Sequence, residues 1–179
     1  MKKILLPVLA FIFLFSSSNL LAQVKLPHAI SSNMVVQRNA PVKIWGTAHK
    51  RERITISFNG QTLKTKANRK GKWQIILKNM KAGGPFKMTI KGKNRIELEN
   101  ILIGDVWICF GQSNMEMSVV NSNNADAEIA TANYENILLF TVPRKISPNP
   151  LYDTEESTWL TCSSENIAPF SAAAYYFAR

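Results

Sequence analysis

The chain has 179 residues and a formal net charge of +10 at pH 7, and its positive charge is concentrated in one part of the sequence. Residues 23–100 carry 17 Lys and Arg against 3 Asp and Glu, a net of +14, whereas residues 101–179 carry 3 against 9, a net of −6. This asymmetry argues against one uniform domain and favours two units with different surfaces, and the lack of internal repeats or low-complexity tracts excludes a repeat architecture.

The amino terminus has the pattern of a secretory signal peptide. Met1-Lys-Lys3 is basic, residues 4–15 are apolar apart from Pro7, and Ala22 offers a small residue at a cleavage point. The apolar run is too short to span a membrane, and no cysteine follows it to mark a lipoprotein. We therefore expect residues 1–22 to be removed and the mature protein to be periplasmic or secreted, without stable membrane insertion. Export also argues against nucleic acid as a partner.

Residues 23–100 have the pattern of an all-β domain. Residues 54–58 alternate apolar with polar side chains, and Asn59-Gly60 gives a strong hairpin signal before residues 61–66 return. Further strands are predicted at 34–37, 42–45, 73–77, 86–90 and 96–98, separated by turn residues at 39–41, 70–72 and 82–85. Many short strands at this spacing predict a β-sandwich.

The lysines of this domain allow two interpretations. They form either the solvated polar face of a sheet or an electrostatic patch for an acidic glycan. The two histidines of the chain also belong to this domain. His28 lies close to the mature terminus and His49 in a polar turn, so we expect surface positions for both.

Residues 101–110 are an apolar, β-prone run, and they are predicted to form one buried central strand. The run stops at Gly111, which permits a sharp backbone turn. Cys109 lies within the run, and Cys162 is the only other cysteine. In an exported protein a disulfide is possible, and an unpaired, buried thiol at Cys109 is the alternative. No metal-ligand spacing occurs, and no cofactor is expected.

The segment Ser113-Asn-Met-Glu116 has the Ser-x-x-Glu spacing of a capping box and predicts the start of a helix. Two roles are open for Ser113: an N-cap whose oxygen accepts backbone hydrogen bonds, or the nucleophile of an acyl transfer. The spacing does not decide between them, because Met115 stands where a Gly-x-Ser-x-Gly elbow needs its second glycine. Glu116 is expected to cap the helix, with pairing to a cation as the alternative.

The remaining residues alternate between predicted strands and helices. A helix is predicted at 125–132, a buried strand at 136–142, a long surface loop at 143–158, a short strand at 158–162 and a helix at 169–179 capped by Ser171. Strands that alternate with helices predict the opening of a parallel α/β domain over residues 101–179.

Several segments taken together resemble one family. Gly111-Gln-Ser-Asn-Met115, preceded by Gly104-Asp-Val-Trp107, is similar to the first block of the sialate O-acetylesterase family, a branch of the SGNH hydrolases. Further segments resemble landmarks of that family in the same order: Asn33-Met-Val-Val-Gln-Arg38, Ile44-Trp-Gly46, Gly71-Lys-Trp73, Ala82-Gly-Gly-Pro85 and Phe170-Ser-Ala-Ala-Ala-Tyr-Tyr-Phe-Ala-Arg179. The resemblance implies a mixed fold, with an all-β, sandwich-like domain at 23–100. The first part of a three-layer, flavodoxin-like SGNH-hydrolase domain follows at 101–179.

The resemblance also assigns roles around the serine of the first block. In the family this serine is the nucleophile, and it corresponds to Ser113 here. Its backbone N–H is implied to contribute to the oxyanion hole. Gln112 and Asn114 flank it and are candidates for lining the acyl pocket, with turn-stabilising side-chain hydrogen bonds as the alternative.

The same resemblance implies groups that residues 101–179 do not supply. The family's base is a histidine near the end of the domain, oriented by an acidic residue slightly before it, and a glycine and an asparagine from later blocks complete the oxyanion hole. None of these can be placed here, and no histidine follows Ser113. We therefore expect a truncated esterase that is inactive by itself. The implied substrate is an O-acetylated sugar, first of all sialic acid. The alternatives are a xylan or other polysaccharide acetylesterase and a non-catalytic glycan-binding accessory protein.

Overall fold

The computed structural model describes residues 23–179. The predicted signal peptide, residues 1–22, lies outside this range, so its removal and the resulting location remain predictions. Among residues 23–179, every helix is too short or too polar to cross a membrane.

Seven strands form the first part of the structure. They are β1 (Val35–Gln37), β2 (Val42–Thr47), β3 (Arg53–Phe58), β4 (Gln61–Lys66), β5 (Lys72–Leu77), β6 (Gly83–Lys91) and β7 (Arg95–Gly104). One sheet has the order β1-β7-β6-β3-β4, and β2 pairs with β5 in a second sheet. Among these strands β1 and β7 pair in parallel, and all other paired neighbours are antiparallel.

The β3–β4 hairpin forms at the predicted turn. Phe58 pairs with Gln61, so Asn59 and Gly60 are the two loop residues. Both have positive φ angles, 43° and 74°, as a two-residue hairpin turn of this kind requires. The hairpin predicted from Asn59-Gly60 is therefore confirmed, with these two residues in the loop.

The core of the sandwich lies between the two sheets. Ile54, Ile56 and Phe58 of β3 point inward and are 0–2% exposed. They belong to the same buried cluster as Ile44 of β2 and Leu77 of β5. Each such side chain contributes about 1.5–3 kcal/mol when it leaves water. The alternating pattern read from the sequence therefore identified the inward face of β3.

The lysines of the sandwich all lie at the surface. Every lysine between residues 25 and 93 is exposed. This placement agrees with a solvated polar face, and the acidic-glycan patch stays a prediction.

The second part of the structure, residues 105–179, is smaller and less regular. It contains α1 (Ser113–Glu116), a 3-10 turn (Val119–Asn121), α2 (Ala125–Thr131), β8 (Asn133–Leu139), β9 (Leu160–Ser163) and α3 (Ala172–Ala178). The two strands pair antiparallel, so the parallel arrangement expected from the alternation of elements is not what β8 and β9 form. A second core packs here around Val119, Cys162, Ile167 and Tyr175, each 0–1% exposed.

The predicted central strand at 101–110 is wrong in its second half. β7 ends at Gly104, and residues 105–110 follow it without regular structure. Residues 101–104 are held between β6 and β1, but β1 ends at Gln37 and no strand within 23–179 pairs with residues 106–110. Ile108 and Phe110 are each 84% exposed in consequence. β7 also runs without a break across residue 100, where the boundary between the two units was predicted.

The two cysteines are free and lie in different surroundings. Cys109 is exposed, because its segment is not a buried strand, and Cys162 is buried in the second core. The disulfide alternative and the buried position of Cys109 are therefore both wrong. Burial raises the pKa of the Cys162 thiol above its usual range.

Candidate functional site

The segment that leads to Ser113 is anchored to the sandwich where β7 ends. Parallel pairing places Gln37 of β1 opposite Gly104 of β7, which brings Arg38 next to Asp105. Arg38 Nε donates to Asp105 Oδ1 at 2.8 Å, and Arg38 Nη2 lies 2.8 Å from Asp105 Oδ2. Gln37 Oε1 accepts from the Val106 N–H at 2.8 Å. Two of the landmark segments therefore meet in space through a two-point ion pair.

This ion pair shifts the titration of both partners. The hydrogen bond from Arg38 lowers the pKa of the Asp105 carboxyl, and the hydrogen bond to Asp105 raises the pKa of the Arg38 guanidinium. Both side chains are 45% exposed, so water and salt screen the pair. Its geometric effect is to fix the direction in which the chain leaves β7.

Ser113 is the first residue of α1, and its side chain is exposed. The residue that precedes the helix is Gln112, whose carbonyl oxygen accepts from the Met115 and Glu116 N–H groups at 2.9 and 3.2 Å. No side-chain cap bond forms at this end. The N-cap interpretation of Ser113 is therefore wrong, because Ser113 lies one position too far into the helix. Gln112 and Asn114 are exposed beside it.

Glu116 does not complete a capping box. Its Oε2 lies 3.1 Å from Nη2 of Arg144, so it takes the alternative role of pairing with a cation. This contact ties α1 to the segment that follows β8.

Residues 111–117, which we call the Ser113 turn, and the residues just after them are hydrogen-bonded to the start of α3. The Ala172 N–H donates to the Met117 carbonyl at 2.8 Å, and the Val119 N–H donates to the Phe170 carbonyl at 3.0 Å. Ser171 caps α3 as predicted, by accepting from the Ala174 N–H at 3.4 Å. The Ser171 hydroxyl also lies 3.3 Å from the Met115 sulfur, directly behind the turn.

This arrangement presents a hydroxyl without a base. Within residues 23–179, no hydrogen bond joins Ser113 to a histidine or a carboxylate, and no group of three His, Cys, Asp or Glu side chains is placed to hold a metal. His28 Nδ1 lies 3.2 Å from Asp153, and His49 Nδ1 lies 3.0 Å from the Lys50 carbonyl. Both histidines are therefore occupied in the sandwich, at the surface positions expected for them.

Comparison with known proteins shows what this architecture is related to. No family model matches the chain. In an alignment of 170 positions that covers 84% of the chain, it is 31% identical to the sialate O-acetylesterases of Rattus norvegicus and of Homo sapiens. The chain is a homologue of the sialate O-acetylesterases. This confirms the resemblance drawn from the ordered segments.

A solved structure supports the same relationship for this sialate O-acetylesterase homologue. A carbohydrate acetylesterase from Xanthomonas citri superposes with a TM-score of 0.84 at 30% identity over 87% of the chain. That match confirms the mixed, strand-rich fold. The homologue spans 36% of that chain and 31–32% of the rat and human proteins, about a third of each. The roles of Ser113, Gln112 and Asn114 stay predictions.

Sequence reasoning missed the contact between Arg38 and Asp105. Both residues lay in segments singled out for their resemblance, but 67 positions separate them. Only the parallel pairing of β1 with β7 brings them together. Opposite charges at the ends of two landmark segments were the available signal.

Proposed function

We propose that this chain carries the nucleophile of a carbohydrate esterase that removes O-acetyl groups from sugars, and that Ser113 is that nucleophile. The observation that carries the proposal is the placement of Ser113. Its hydroxyl is exposed on a short turn, it is not consumed as a helix cap, and the turn is fixed from behind by Met117 and Phe170. The names of the homologues support the reaction class.

The proposed reaction is an acyl transfer in two steps. Ser113 Oγ attacks the acetyl carbonyl carbon and loses its proton to a base, and the sugar oxygen departs with a proton. Water then hydrolyses the acetyl-serine and releases acetate. The Ser113 N–H is proposed to donate to the developing oxyanion, and Gln112 and Asn114 to line the acetyl group. The base is proposed to be a histidine, which residues 101–179 do not contain.

Sialic acid is the proposed acetylated sugar, because the rat and human homologues bear the name sialate O-acetylesterase. The Xanthomonas citri homologue is named more broadly, as a carbohydrate acetylesterase, and a xylan or other polysaccharide is the proposed alternative within that class. Release of acetate from O-acetylated sialic acid and from acetylated xylan, measured side by side, separates the two.

A fusion enzyme tests the nucleophile. Residues 23–179 would replace the matching third of the Xanthomonas citri carbohydrate acetylesterase, whose remainder is proposed to supply the other catalytic groups. We expect acetate release from an acetyl ester, and we expect Ser113→Ala to lower kcat by roughly a thousandfold or more. Ser164→Ala, which removes an exposed serine from another turn, is the matched control. A folded, active fusion that tolerates Ser113→Ala refutes the assignment.

The chain alone provides a second test. Because no base lies beside Ser113 within the described residues, we propose that residues 23–179 by themselves show only residual turnover. Robust acetate release by the purified chain, abolished by Ser113→Ala, would contradict that proposal while it supported the nucleophile.

Export through a signal peptide that is cleaved near Ala22 is also proposed. Amino-terminal sequencing of the protein recovered outside the cytoplasm tests it. A mature protein that begins at or close to Gln23 is the expected result, and an intact Met1 in that fraction contradicts it.

A further inference from the structure

Residues 140–159, which we call the strap, lie across one end of the sandwich. The Tyr152 hydroxyl donates to the Gly46 carbonyl at 2.6 Å, and the His28 N–H donates to Asp153 at 2.9 Å. Trp159 Nε1 donates to the Ala29 carbonyl at 3.0 Å. The predicted surface loop is therefore attached to the sandwich by three hydrogen bonds, two at the adjacent residues Tyr152 and Asp153 and one at Trp159.

A cleft of about 320 Å³ remains between the strap and the sandwich. Trp45 of β2 lines it from the sandwich, and Leu151 and Tyr152 line it from the strap. The rest of the wall is formed by polar and small apolar residues, namely Lys145, Asp153, Thr154, Glu155, Pro27, Ala29, Val142 and Pro143. The volume falls within the range of small-molecule sites, which combine apolar surface with a few polar groups.

The charged groups of the cleft are held in place by ion pairs. Lys145 pairs with Glu155, and Asp153 is held by His28 at 3.2 Å. Lys72 lies over the Tyr152 ring at 4.5 Å from its centroid, and Lys43 lies over the Trp45 ring at 5.8 Å. Cations and carboxylates are therefore interleaved around two aromatic side chains.

We propose that this cleft binds one pyranose ring of a glycan. A sugar ring has apolar C–H faces that pack on aromatic rings such as Trp45 and Tyr152, and its hydroxyl edge both donates and accepts hydrogen bonds. The carboxylates of Asp153 and Glu155 accept from hydroxyls, and the Lys145 ammonium donates to them. A free cation is disfavoured, because lysines already lie over both rings. A purely apolar ligand is disfavoured, because it would cover the Lys145–Glu155 and His28–Asp153 pairs and replace the water around them without offering them any hydrogen bond.

The Ser113 turn is not part of this cleft, since none of residues 111–117 lines it. The proposed subsite therefore does not depend on the esterase assignment. It would hold a sugar residue of a longer chain whether or not Ser113 is a nucleophile.

Calorimetric titration of residues 23–179 tests the subsite with two probes. Xylotetraose is neutral and 3′-sialyllactose is acidic, so a comparison of the two shows whether the cleft takes a ring from a neutral or from an acidic glycan. We expect saturable binding of at least one probe, and binding about tenfold weaker for Trp45→Ala. Trp107→Ala removes an indole that is 66% exposed outside the cleft and is the matched control. Ser113→Ala is expected to bind like the wild type.

Trp45 also contacts the sandwich core, so its removal can affect folding. Glu155→Ala lies on the exposed rim and keeps the test decisive if Trp45→Ala does not fold. We expect it to weaken binding severalfold. The proposal is overturned if neither probe shows saturable binding, or if every folded cleft variant binds as the wild type does. A loss of binding caused by Trp107→Ala or Ser113→Ala also overturns it.

Discussion

Arg38 and Asp105 determine where the chain goes after β7. The two-point geometry of their ion pair, together with the bond from Gln37 to the Val106 N–H, holds an exposed segment that makes few other polar contacts with the sandwich. An exposed ion pair stabilises a fold only modestly. Its main effect here is to fix the path of the chain after β7, because α1 and Ser113 follow within a few residues.

Removal of this pair gives a prediction with a defined pH dependence. The folded state lowers the pKa of Asp105, so its contribution is present above the unfolded-state pKa of about 3.9 and disappears as the pH falls through the folded pKa. We expect Asp105→Asn to destabilise residues 23–179 slightly at neutral pH and not at strongly acidic pH. Urea unfolding across pH measures this, and high salt should shrink the difference.

A second exposed ion pair provides the control that separates anchoring of residues 105–112 from the general loss of an ion pair. Glu99 pairs with Lys87 at 2.6 Å, and that contact also lowers the pKa of Glu99. Glu99→Gln should therefore show a similar pH-dependent loss. Only Asp105→Asn should speed amide hydrogen exchange in residues 105–112. Equal exchange there in the two variants contradicts an anchoring role for Asp105.

For single residues, the sequence predicted which side chains are of interest better than it predicted their contacts. Ser113 was recognised as the residue of interest, but its capping box with Glu116 was wrong because the helix begins one residue earlier than that spacing requires. Glu116 instead pairs with Arg144, 28 positions away. A local pattern cannot reveal such a partner, since the pairing depends on where the strap leaves β8.

The elements of the sandwich were predicted closely because each carries its own signal. The alternation in β3 and the Asn-Gly turn before β4 are local properties, and both elements formed within a residue of the prediction. Residues 101–110 failed for the opposite reason. Apolar, β-prone residues become a strand only when a neighbour pairs with them, and within 23–179 that neighbour exists for residues 101–104 but not for 106–110.

The cap of α3 gives a prediction at the scale of an element. Ser171 accepts from the Ala174 N–H and also lies behind Met115, so it stabilises the helix and supports the Ser113 turn. We expect Ser171→Ala to lower the free energy of unfolding by about 1 kcal/mol. Ser164→Ala should change it by less than about 0.5 kcal/mol, because that serine lies exposed in a turn. Urea unfolding of both variants checks this, and equal values contradict the capping role.

Over the whole molecule, the two parts bury their apolar residues unequally. The sandwich encloses its inward faces between two sheets, and its lysines keep the outer surface polar. Residues 106–110 instead expose four large apolar side chains: Val106, Trp107, Ile108 and Phe110. Phe177 of α3, 59% exposed, packs edge-on against Trp107 with ring centroids 5.0 Å apart, which extends the apolar surface across two elements.

This apolar surface leads to a prediction about association. Contiguous exposed apolar surface associates in water, so we expect residues 23–179 to form oligomers as protein concentration rises. Replacing Ile108 and Phe110 together by lysine should shift the chain toward the monomer, because lysine opposes burial of the surface against a second copy. Ile146→Lys, which makes the same change in a fully exposed strap residue away from this segment, is the control. Sedimentation velocity measures the distribution. A chain that is monomeric at all concentrations, or that associates equally in the wild type and in both variants, shows that this surface does not drive self-association.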